Sequence, residues 1–225
     1  EMVQREMERR TREGGRYSGV SIFSGKIRCG ECGGYFGSKV WHSTDKYRRV
    51  IYRCNNKYDG QKCQTPHVTE EEIKEAFVTA FNRLVTEQDE IIANARFVRQ
   101  TLCDTTALAE ERAKLQQELA VLVEMTEKCI RENARIAQNQ EEYQKRYEGL
   151  VVRYDAAKAR FDEVTDTISA KGAQSERLAL FERTLKARTA PVVEFDSQLW
   201  ASMVECVTVD KGMTVVFWDG REVSV

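Results

Sequence analysis

Proline is scarce in this chain: only two of its 225 residues are proline, Pro66 and Pro191. Because proline interrupts α-helices, this scarcity predicts long uninterrupted helices. No run reaches the roughly 18 uncharged apolar residues of a membrane-spanning helix. The first residues, from Glu1, lack the apolar core of a secretory signal peptide. These absences predict a soluble cytoplasmic protein, and a first residue other than Met predicts a fragment of a longer chain.

Net charge is also nearly absent, since 35 basic residues face 36 acidic ones and the formal total is −1. That total alone argues against nucleic-acid binding, but it conceals a cancellation. Residues 26–62 hold nine basic and three acidic side chains, a local charge of +6. Residues 1–25 carry +1, which leaves −8 for residues 63–225. The sequence therefore predicts a basic module joined to an acidic one.

Seven cysteines without an export signal indicate a reducing compartment, where clustered thiols usually bind metal. Cys29-Gly-Glu-Cys32 is a CxxC turn, and Cys54 and Cys63 follow as a second pair. Two such pairs suit a tetrahedral zinc ion with Zn–S bonds of about 2.3 Å. Four thiolates leave no open coordination position, so the prediction is one structural Zn²⁺ held by Cys29, Cys32, Cys54 and Cys63.

Other interpretations of these cysteines remain open at this point. A redox CxxC would lie in a βαβ unit, which the sequence pattern does not indicate. Two disulfides are a second alternative, and His42 or His67 could replace one cysteine ligand. The other three cysteines lie in periodic apolar settings and are predicted to be small buried hydrophobic residues. They are Cys103, Cys129 and Cys206.

Residues 17–63 alternate as short β-prone segments around glycine turns, at Val20–Phe23, Tyr35–Trp41 and Arg49–Arg53. Two hairpins joined by zinc at their tips would form a zinc β-ribbon. So small a sheet buries too little surface to fold alone, which explains the need for metal.

Aromatic and hydroxyl side chains alternate with basic ones along this ribbon, a composition suited to contacts with DNA phosphates and groove edges. The alternative without DNA binding is that the lysines are ordinary solvated residues and that Trp41 packs against the back of the ribbon. The predicted DNA-binding residues are Lys26, Arg28, Lys39, Trp41, His42, Lys46, Tyr47, Arg48, Arg49 and Arg53.

The remainder of the chain is predominantly helical. Thr69-Glu-Glu-Glu72 is a capping box that predicts a helix through about Val85, followed by a second helix over Glu87–Gln100. From about Ala107 a sustained spacing of three and four residues predicts a coiled coil. Its seam residues are Leu108, Leu115, Leu119, Leu122, Cys129, Ile136, Tyr143, Tyr147, Leu150, Tyr154, Ala157, Phe161, Val164 and Ile168.

The unbroken register favours one long helix, whereas the polar stretch Asn133–Gln140 favours a hairpin. The C-terminus decides between them, because its β-prone segments at 206–209, 213–218 and 221–225 form a meander that is marginal alone. A hairpin would return this meander to the ribbon. Asp196 is predicted to cap a short helix before it. The predicted hairpin tip comprises Asn133, Arg135, Ile136, Gln138 and Asn139.

The predicted fold class is α+β: a small zinc β-ribbon domain with a long inserted antiparallel coiled-coil hairpin and a C-terminal β-meander that returns to the ribbon. Residues 1–16 are predicted to be a linker helix from an absent upstream domain. Residues 17–104 would form the ribbon and its following helices, and 105–189 the coiled-coil hairpin with its tip at about 133–139. A short helix and the meander, 190–225, would complete the zinc domain.

The ordered set Phe23-Ser-Gly25, Cys29-Gly-Glu-Cys32-Gly-Gly34, Gly37-Ser-Lys-Val-Trp-His42, Cys54 and Cys63 resembles the recombinase zinc β-ribbon of large serine recombinases, also called serine integrases. The later Tyr143-Gln-Lys-Arg-Tyr147, within a helix, coiled coil and β order, is similar to their C-terminal region. Together these segments extend the resemblance over nearly the whole chain.

The resemblance implies that the zinc domain binds double-stranded DNA at the attachment site. It implies that coiled-coil tips contact other recombinase subunits to control synapsis, and that a directionality factor is a further partner. It also implies a cytoplasmic, nucleoid-associated protein of bacterial, phage or mobile-element origin. The catalytic serine of that family belongs to an N-terminal domain whose motifs are missing here, so we expect no catalysis from this fragment, although its parent would be a DNA recombinase. The alternative is a zinc-stapled coiled-coil scaffold that binds proteins and no DNA.

Overall fold

The computed structural model describes residues 21–42, 44–57 and 63–225, and it has the α+β character that the sequence predicts. The chain divides into two compact units. The first contains the described residues up to Arg96 together with Arg177–Val225, and the second is Phe97–Glu176. The linker helix predicted for residues 1–16, and Val20, lie outside the described residues.

In the described part of the first unit, seven short strands form two sheets. A three-stranded antiparallel sheet has the order β2–β3–β4, and a four-stranded sheet has the order β1–β5–β6–β7. The strands are β1 (Ile27–Cys29), β2 (Phe36–Trp41), β3 (Arg49–Cys54), β4 (Val68–Thr69), β5 (Val204–Val209), β6 (Met213–Phe217) and β7 (Glu222–Ser224).

The C-terminal strands pair with a strand of the ribbon. β1 runs parallel to β5, with Ile27 opposite Val207 and Cys29 opposite Val209, while β5, β6 and β7 form an antiparallel meander. This is the return of the meander that the sequence predicts.

The strand predicted at Val20–Phe23 is wrong over its described part, because Ser21–Phe23 forms turns. Ser24 N donates to Ser21 O and Lys26 N donates to Phe23 O. Gly25 then takes a positive φ of 70° and leads into β1. The apolar side chain of Phe23 is nonetheless buried in the core. A buried residue in a turn can therefore have the same apolar character as a residue in a strand.

The α-helices of the described residues are α1 (Glu70–Thr86), α2 (Gln88–Leu102), α3 (Thr106–Arg135), α4 (Gln140–Lys186) and α5 (Ser197–Met203). The predicted capping box is confirmed, since Thr69 Oγ1 accepts from Glu72 N and Glu72 Oε2 accepts from Thr69 N at 2.6 Å. These bonds hold the pKa of Glu72 below its usual range. The predicted cap at Asp196 is also present and accepts from the first amides of α5.

Trp200 of α5 lies fully buried at the centre of an aromatic core. Its ring is 5.0 Å from that of Phe23, 5.4 Å from Phe77 of α1 and 5.9 Å from Phe195. Residues of both sheets and of the C-terminal part of α4 join the same cluster. The turn before β1, helix α1 and the segment before β5 are therefore packed together around one indole.

Within the second unit, α3 and α4 run antiparallel. Ion pairs join Glu111 to Arg160 at 2.7 Å and Glu118 to Arg153 at 3.7 Å. The residue numbers rise along α3 while those of their partners fall along α4, which is the pattern of antiparallel helices. The predicted seam residues Leu122, Cys129, Leu150 and Ala157 are buried between the helices.

The prediction of Ile136 as a seam residue is wrong, because Ile136 is 66% exposed and has an extended backbone after the last turn of α3. The turn that follows is polar. Asn133 Oδ1 accepts from the side-chain amides of Gln138 and Gln140, and Asn139 Oδ1 accepts from Glu141 N at the start of α4. Hydrogen bonds at the helix ends stop the helix where apolar periodicity alone would continue it.

Of the three cysteines predicted to be buried, Cys129 and Cys206 are buried and Cys103 is half-buried. In the parts of the chain that the structure describes, no helix combines the length and apolarity that crossing a membrane requires.

We expect Thr69→Ala to lower the free energy of unfolding of the first unit by about 1 kcal/mol, because the cap of α1 is removed. Tryptophan fluorescence during urea unfolding reports this unit, since Trp41, Trp200 and Trp218 all lie in it. Thr86→Ala, in the last turn of the same helix, is the control and should change stability by less than about 0.5 kcal/mol. Equal effects of the two substitutions would contradict the capping account.

Candidate metal centre and basic sheet face

The first cysteine pair lies on a tight turn at the end of β1. Cys29 N donates to Gly34 O at 2.8 Å and Gly33 N donates to Cys29 O at 2.9 Å, which closes the turn. Gly33 has a φ of 70°, a conformation that glycine adopts without steric cost. Gly30 N donates to Val209 O, so the turn is also attached to β5. Both thiols are thereby held at one end of the four-stranded sheet.

In the second pair, Cys54 belongs to the other sheet and Cys63 lies in the segment before β4. Cys54 ends β3, where it is opposite Phe36, and Cys63 N donates to Asn56 O at 3.4 Å beyond a single 3₁₀ turn. The four predicted ligand Sγ atoms all lie within 4.8 Å of one another. The structure therefore brings Cys29, Cys32, Cys54 and Cys63 into one cluster.

The sulfur spacing suits a metal ion and not disulfides. All seven cysteines are free thiols, and the nearest cluster sulfurs, of Cys29 and Cys63, are 3.2 Å apart, whereas a disulfide bond is about 2.05 Å long. A tetrahedral ion with Zn–S bonds of about 2.3 Å needs sulfurs about 3.8 Å apart. Four soft thiolates at this spacing could hold one metal ion.

The two histidines weighed as alternative ligands have other partners. His42 Nδ1 is 3.1 Å from Asp45 Oδ2, and the ring of His67 lies 4.8 Å from that of Trp41. Among the described residues, the cluster able to hold a metal consists of cysteines alone.

Two residues that sequence reasoning missed border the cluster. Thr65 is buried, and its Oγ1 lies 2.9 Å from Cys29 Sγ and 3.1 Å from Cys63 Sγ. Glu31, between the first two cysteines, accepts from the backbone amides of Gln64 and Thr65. In the sequence, two features could have indicated these residues: the polar pair Gln64-Thr65 directly after Cys63, and the acidic Glu31 inside the CxxC turn.

The cluster environment separates the pKa values of its thiols. Burial opposes ionisation of Cys29, but hydrogen bonds from Thr65, the Cys32 backbone and neighbouring thiols outweigh it and lower the pKa of Cys29 to about 6. Burial raises the pKa of Cys54 to about 12. A bound divalent ion would displace protons from such thiols, because only thiolates ligate it.

Four of the predicted DNA-binding residues share one face of the three-stranded sheet, which we call the basic sheet face: Lys39, Trp41, Arg49 and Arg53. Trp41 is directly opposite Arg49, and Arg53 is opposite Gly37, two positions before Lys39. Directly opposed residues, and residues two apart, lie on the same side of a sheet. The opposite side carries Phe36 and Tyr52 into the core.

His67 extends the basic sheet face. Its ring contacts that of Trp41, and the guanidinium of Arg49 lies 5.1 Å from the centre of the same Trp41 ring. The sequence pattern presents His67 only as an alternative metal ligand. The alternation around buried Val68 was the signal for its position, because Val68 faces the core and its neighbours then face away.

Four further predicted residues lie in the loop between β2 and β3. His42 and Tyr47 are both tied to Asp45, whose Oδ1 accepts from Tyr47 N at 2.7 Å. Lys46 Nζ is 5.2 Å from the Tyr47 ring centre, and Arg48 is exposed where the loop enters β3. The loop therefore continues the basic stretch beyond the sheet.

Lys26 and Arg28 lie apart from this face. Lys26 is only 8% exposed; its Nζ donates to Val204 O at 2.7 Å and lies 4.5 Å from the Trp218 ring centre. Arg28 is on β1, in the other sheet, with its guanidinium 5.7 Å from the Tyr35 ring centre. Lys26 contacts Val204 and Trp218, and Arg28 contacts Tyr35, so we leave both out of the proposed DNA surface.

Comparison with known proteins places these features in a known domain. No curated protein matches the chain. The crystal structure of an LSR–DNA complex, where LSR denotes a large serine recombinase, matches with 14% identity over 95% of this chain and 62% of that one, at a TM-score of 0.34. This chain thus spans less than two thirds of the length of that protein. The family of the recombinase zinc beta ribbon domain matches residues 22–82, a segment that includes all four clustered cysteines and the basic sheet face. The resemblance predicted from the sequence is confirmed over this segment, since residues 22–82 match the recombinase zinc beta ribbon domain family.

Proposed function

We propose that this chain is the DNA-binding and synapsis-regulating part of a site-specific serine recombinase. The observation that carries the proposal is the basic sheet face, which lies in the matched recombinase domain on the same sheet as Cys54. The ribbon contacts attachment-site DNA, and the antiparallel helices contact other subunits. The chain itself cleaves no DNA, and strand exchange belongs to the rest of the recombinase. Such a protein is associated with the bacterial nucleoid, where its DNA target lies.

The four-cysteine cluster holds one Zn²⁺ in this proposal. Four thiolates complete the coordination of the ion, so it contributes folding free energy and no catalytic position. Cys29 belongs to the four-stranded sheet and Cys54 to the three-stranded sheet, so one ion joins both.

We expect one zinc ion per chain, and Cys54→Ser should lose most of it because three thiolates bind zinc far more weakly than four. Native mass spectrometry counts the metal. Cys103→Ser is the control, since the Cys103 thiol is also free but lies outside the cluster. Full zinc content in Cys54→Ser would show that the cluster is not the binding site.

The basic sheet face suits a DNA backbone because its cations are held in place. Arg49 is oriented by stacking over Trp41, and Trp41 is in turn backed by His67. Guanidinium groups bind phosphate through paired N–H donors, and a flat aromatic surface accommodates sugar or base edges. The surrounding segment carries +6 and the later part of the chain −8. A DNA duplex is therefore attracted to the ribbon and repelled from the acidic remainder.

Replacing Lys39, Arg49 and Arg53 together by alanine should weaken binding to a random-sequence duplex. For every side chain that no longer neutralises a phosphate, the slope of log K against log salt concentration should become shallower by about 0.9. Fluorescence anisotropy titrations at several salt concentrations measure both affinity and slope. The control removes three exposed lysines elsewhere, Lys114, Lys145 and Lys211, with the same decrease in charge.

An unchanged affinity in the sheet-face variant, or an equal weakening in the control, would refute the DNA surface. Failure of the wild-type chain to bind any duplex at low salt would favour the scaffold alternative, in which zinc only stabilises a protein-binding domain.

The turn between α3 and α4 is the proposed contact with other subunits. Ile136 is 66% exposed there, next to a turn held by the Asn133 hydrogen bonds. Arg135, Gln138 and Asn139 are its polar neighbours along the chain. An exposed apolar side chain on an ordered polar turn is suited to insertion into a partner. A directionality factor is a second partner class for the same helices.

We expect the chain to self-associate in sedimentation experiments and Ile136→Ser to raise the dissociation constant at least about tenfold, because one buried isoleucine stabilises an interface by about 1.5–3 kcal/mol. Val152→Ser is the control, since Val152 is 67% exposed but lies within α4, away from the turn. Equal effects of the two substitutions, or a wild-type chain that stays monomeric, would contradict a tip contact.

A further inference from the structure

One carboxylate oxygen connects the two cysteine pairs. Glu31 Oε2 accepts from Gln64 N at 2.7 Å, from Thr65 N at 3.0 Å and from Thr65 Oγ1 at 3.2 Å. The same oxygen lies 3.1 Å from Cys63 Sγ. Glu31 belongs to the turn of the first pair, whereas all of its partners belong to the segment that begins at the last cysteine.

These contacts determine where the last cysteine lies. Two successive backbone amides that donate to one side-chain oxygen fix the orientation of the Gln64–Thr65 peptide. Cys63 precedes that peptide directly, so its thiol is held 3.2 Å from that of Cys29.

Thr65 completes the arrangement from inside. It is buried, and its hydroxyl lies within 3.2 Å of Cys29 Sγ, Cys63 Sγ and Glu31 Oε2. A hydroxyl has one proton and can donate to only one of these acceptors at a time. The Thr65 hydroxyl therefore links the carboxylate and the two thiols, whichever of them accepts its proton.

We infer that Glu31 is a positioning residue of the metal centre: its carboxylate clamps the Cys63–Thr65 turn to the first cysteine pair and slows the release of the bound ion. This inference rests on the zinc site of the proposed function. Groups that orient metal ligands commonly change metal affinity by about 10–100-fold when they are removed.

The positioning role of Glu31 depends on its hydrogen-bond acceptor oxygen and not on its charge. A carboxylate beside four thiolates adds repulsion, since like charges at short range oppose one another. Glutamine at this position would remove the charge and keep a side-chain oxygen that accepts from both backbone amides. Positioning therefore predicts that Glu31→Gln behaves like the wild type and Glu31→Ala does not.

Zinc transfer to an excess of a chromophoric chelator measures the release rate. We expect release from Glu31→Ala to be about 10–100-fold faster than from the wild type, with Glu31→Gln within a few-fold of it. Glu75→Ala, which removes an exposed carboxylate from α1, is the control and should release zinc at the wild-type rate. Absorption spectra of the Co²⁺-loaded chains report whether four thiolates still ligate the ion.

Wild-type release from Glu31→Ala would overturn the inference, as would release from Glu31→Gln as fast as from Glu31→Ala. If Glu31→Ala is recovered without metal, Glu31→Gln decides: a loaded Gln variant supports the clamp and an empty one contradicts it. A wild-type chain that binds no zinc is a different result, because it overturns the zinc proposal itself and the inference with it.

Discussion

The parallel pairing of Ile27–Cys29 with Val207–Val209 closes this fold, and the candidate site depends on it. The pairing joins residues 180 positions apart in the chain, Ile27 and Val207. Because β1 ends at Cys29, it fixes the first thiol of the cluster to a four-stranded sheet whose other members come from the C-terminus. The hydrogen bond from Gly30 N to Val209 O extends the attachment into the cysteine turn. This pairing therefore adds a sheet attachment to the contacts that Glu31 and Thr65 make at the first cysteine pair.

The two sheets then have separate tasks. The four-stranded sheet provides Cys29 and closes the aromatic core around Trp200. The three-stranded sheet provides Cys54, places Tyr52 in the core and leaves Lys39, Trp41 and Arg49 on its outer side. Because Phe36 and Tyr52 are buried in the core, the register of this sheet cannot slip without exposing them, and this fixes the side chains on the other side. The same constraint that stabilises the ribbon therefore positions the proposed DNA surface.

Local features of this structure were predictable from the sequence, and features that depend on distant contacts were not. The capping box at Thr69 and the four-cysteine set follow from residue types and spacing within short segments. β1 has three residues and becomes a strand only through Val207–Val209. Lys26 has the sequence context of a surface cation, yet Val204 O and the Trp218 ring hold it inside the fold. The Glu31 clamp likewise joins segments over 30 positions apart.

The central claim is that DNA contacts the outer side of the three-stranded sheet. Photo-crosslinking of the zinc-loaded chain to a duplex with a reactive backbone, followed by mass spectrometric mapping of the attached peptides, tests it most directly. The account predicts crosslinks within residues 36–54 and at His67, and none in residues 106–176. Crosslinks confined to the helices of the second unit, from a chain that binds the duplex, would contradict it.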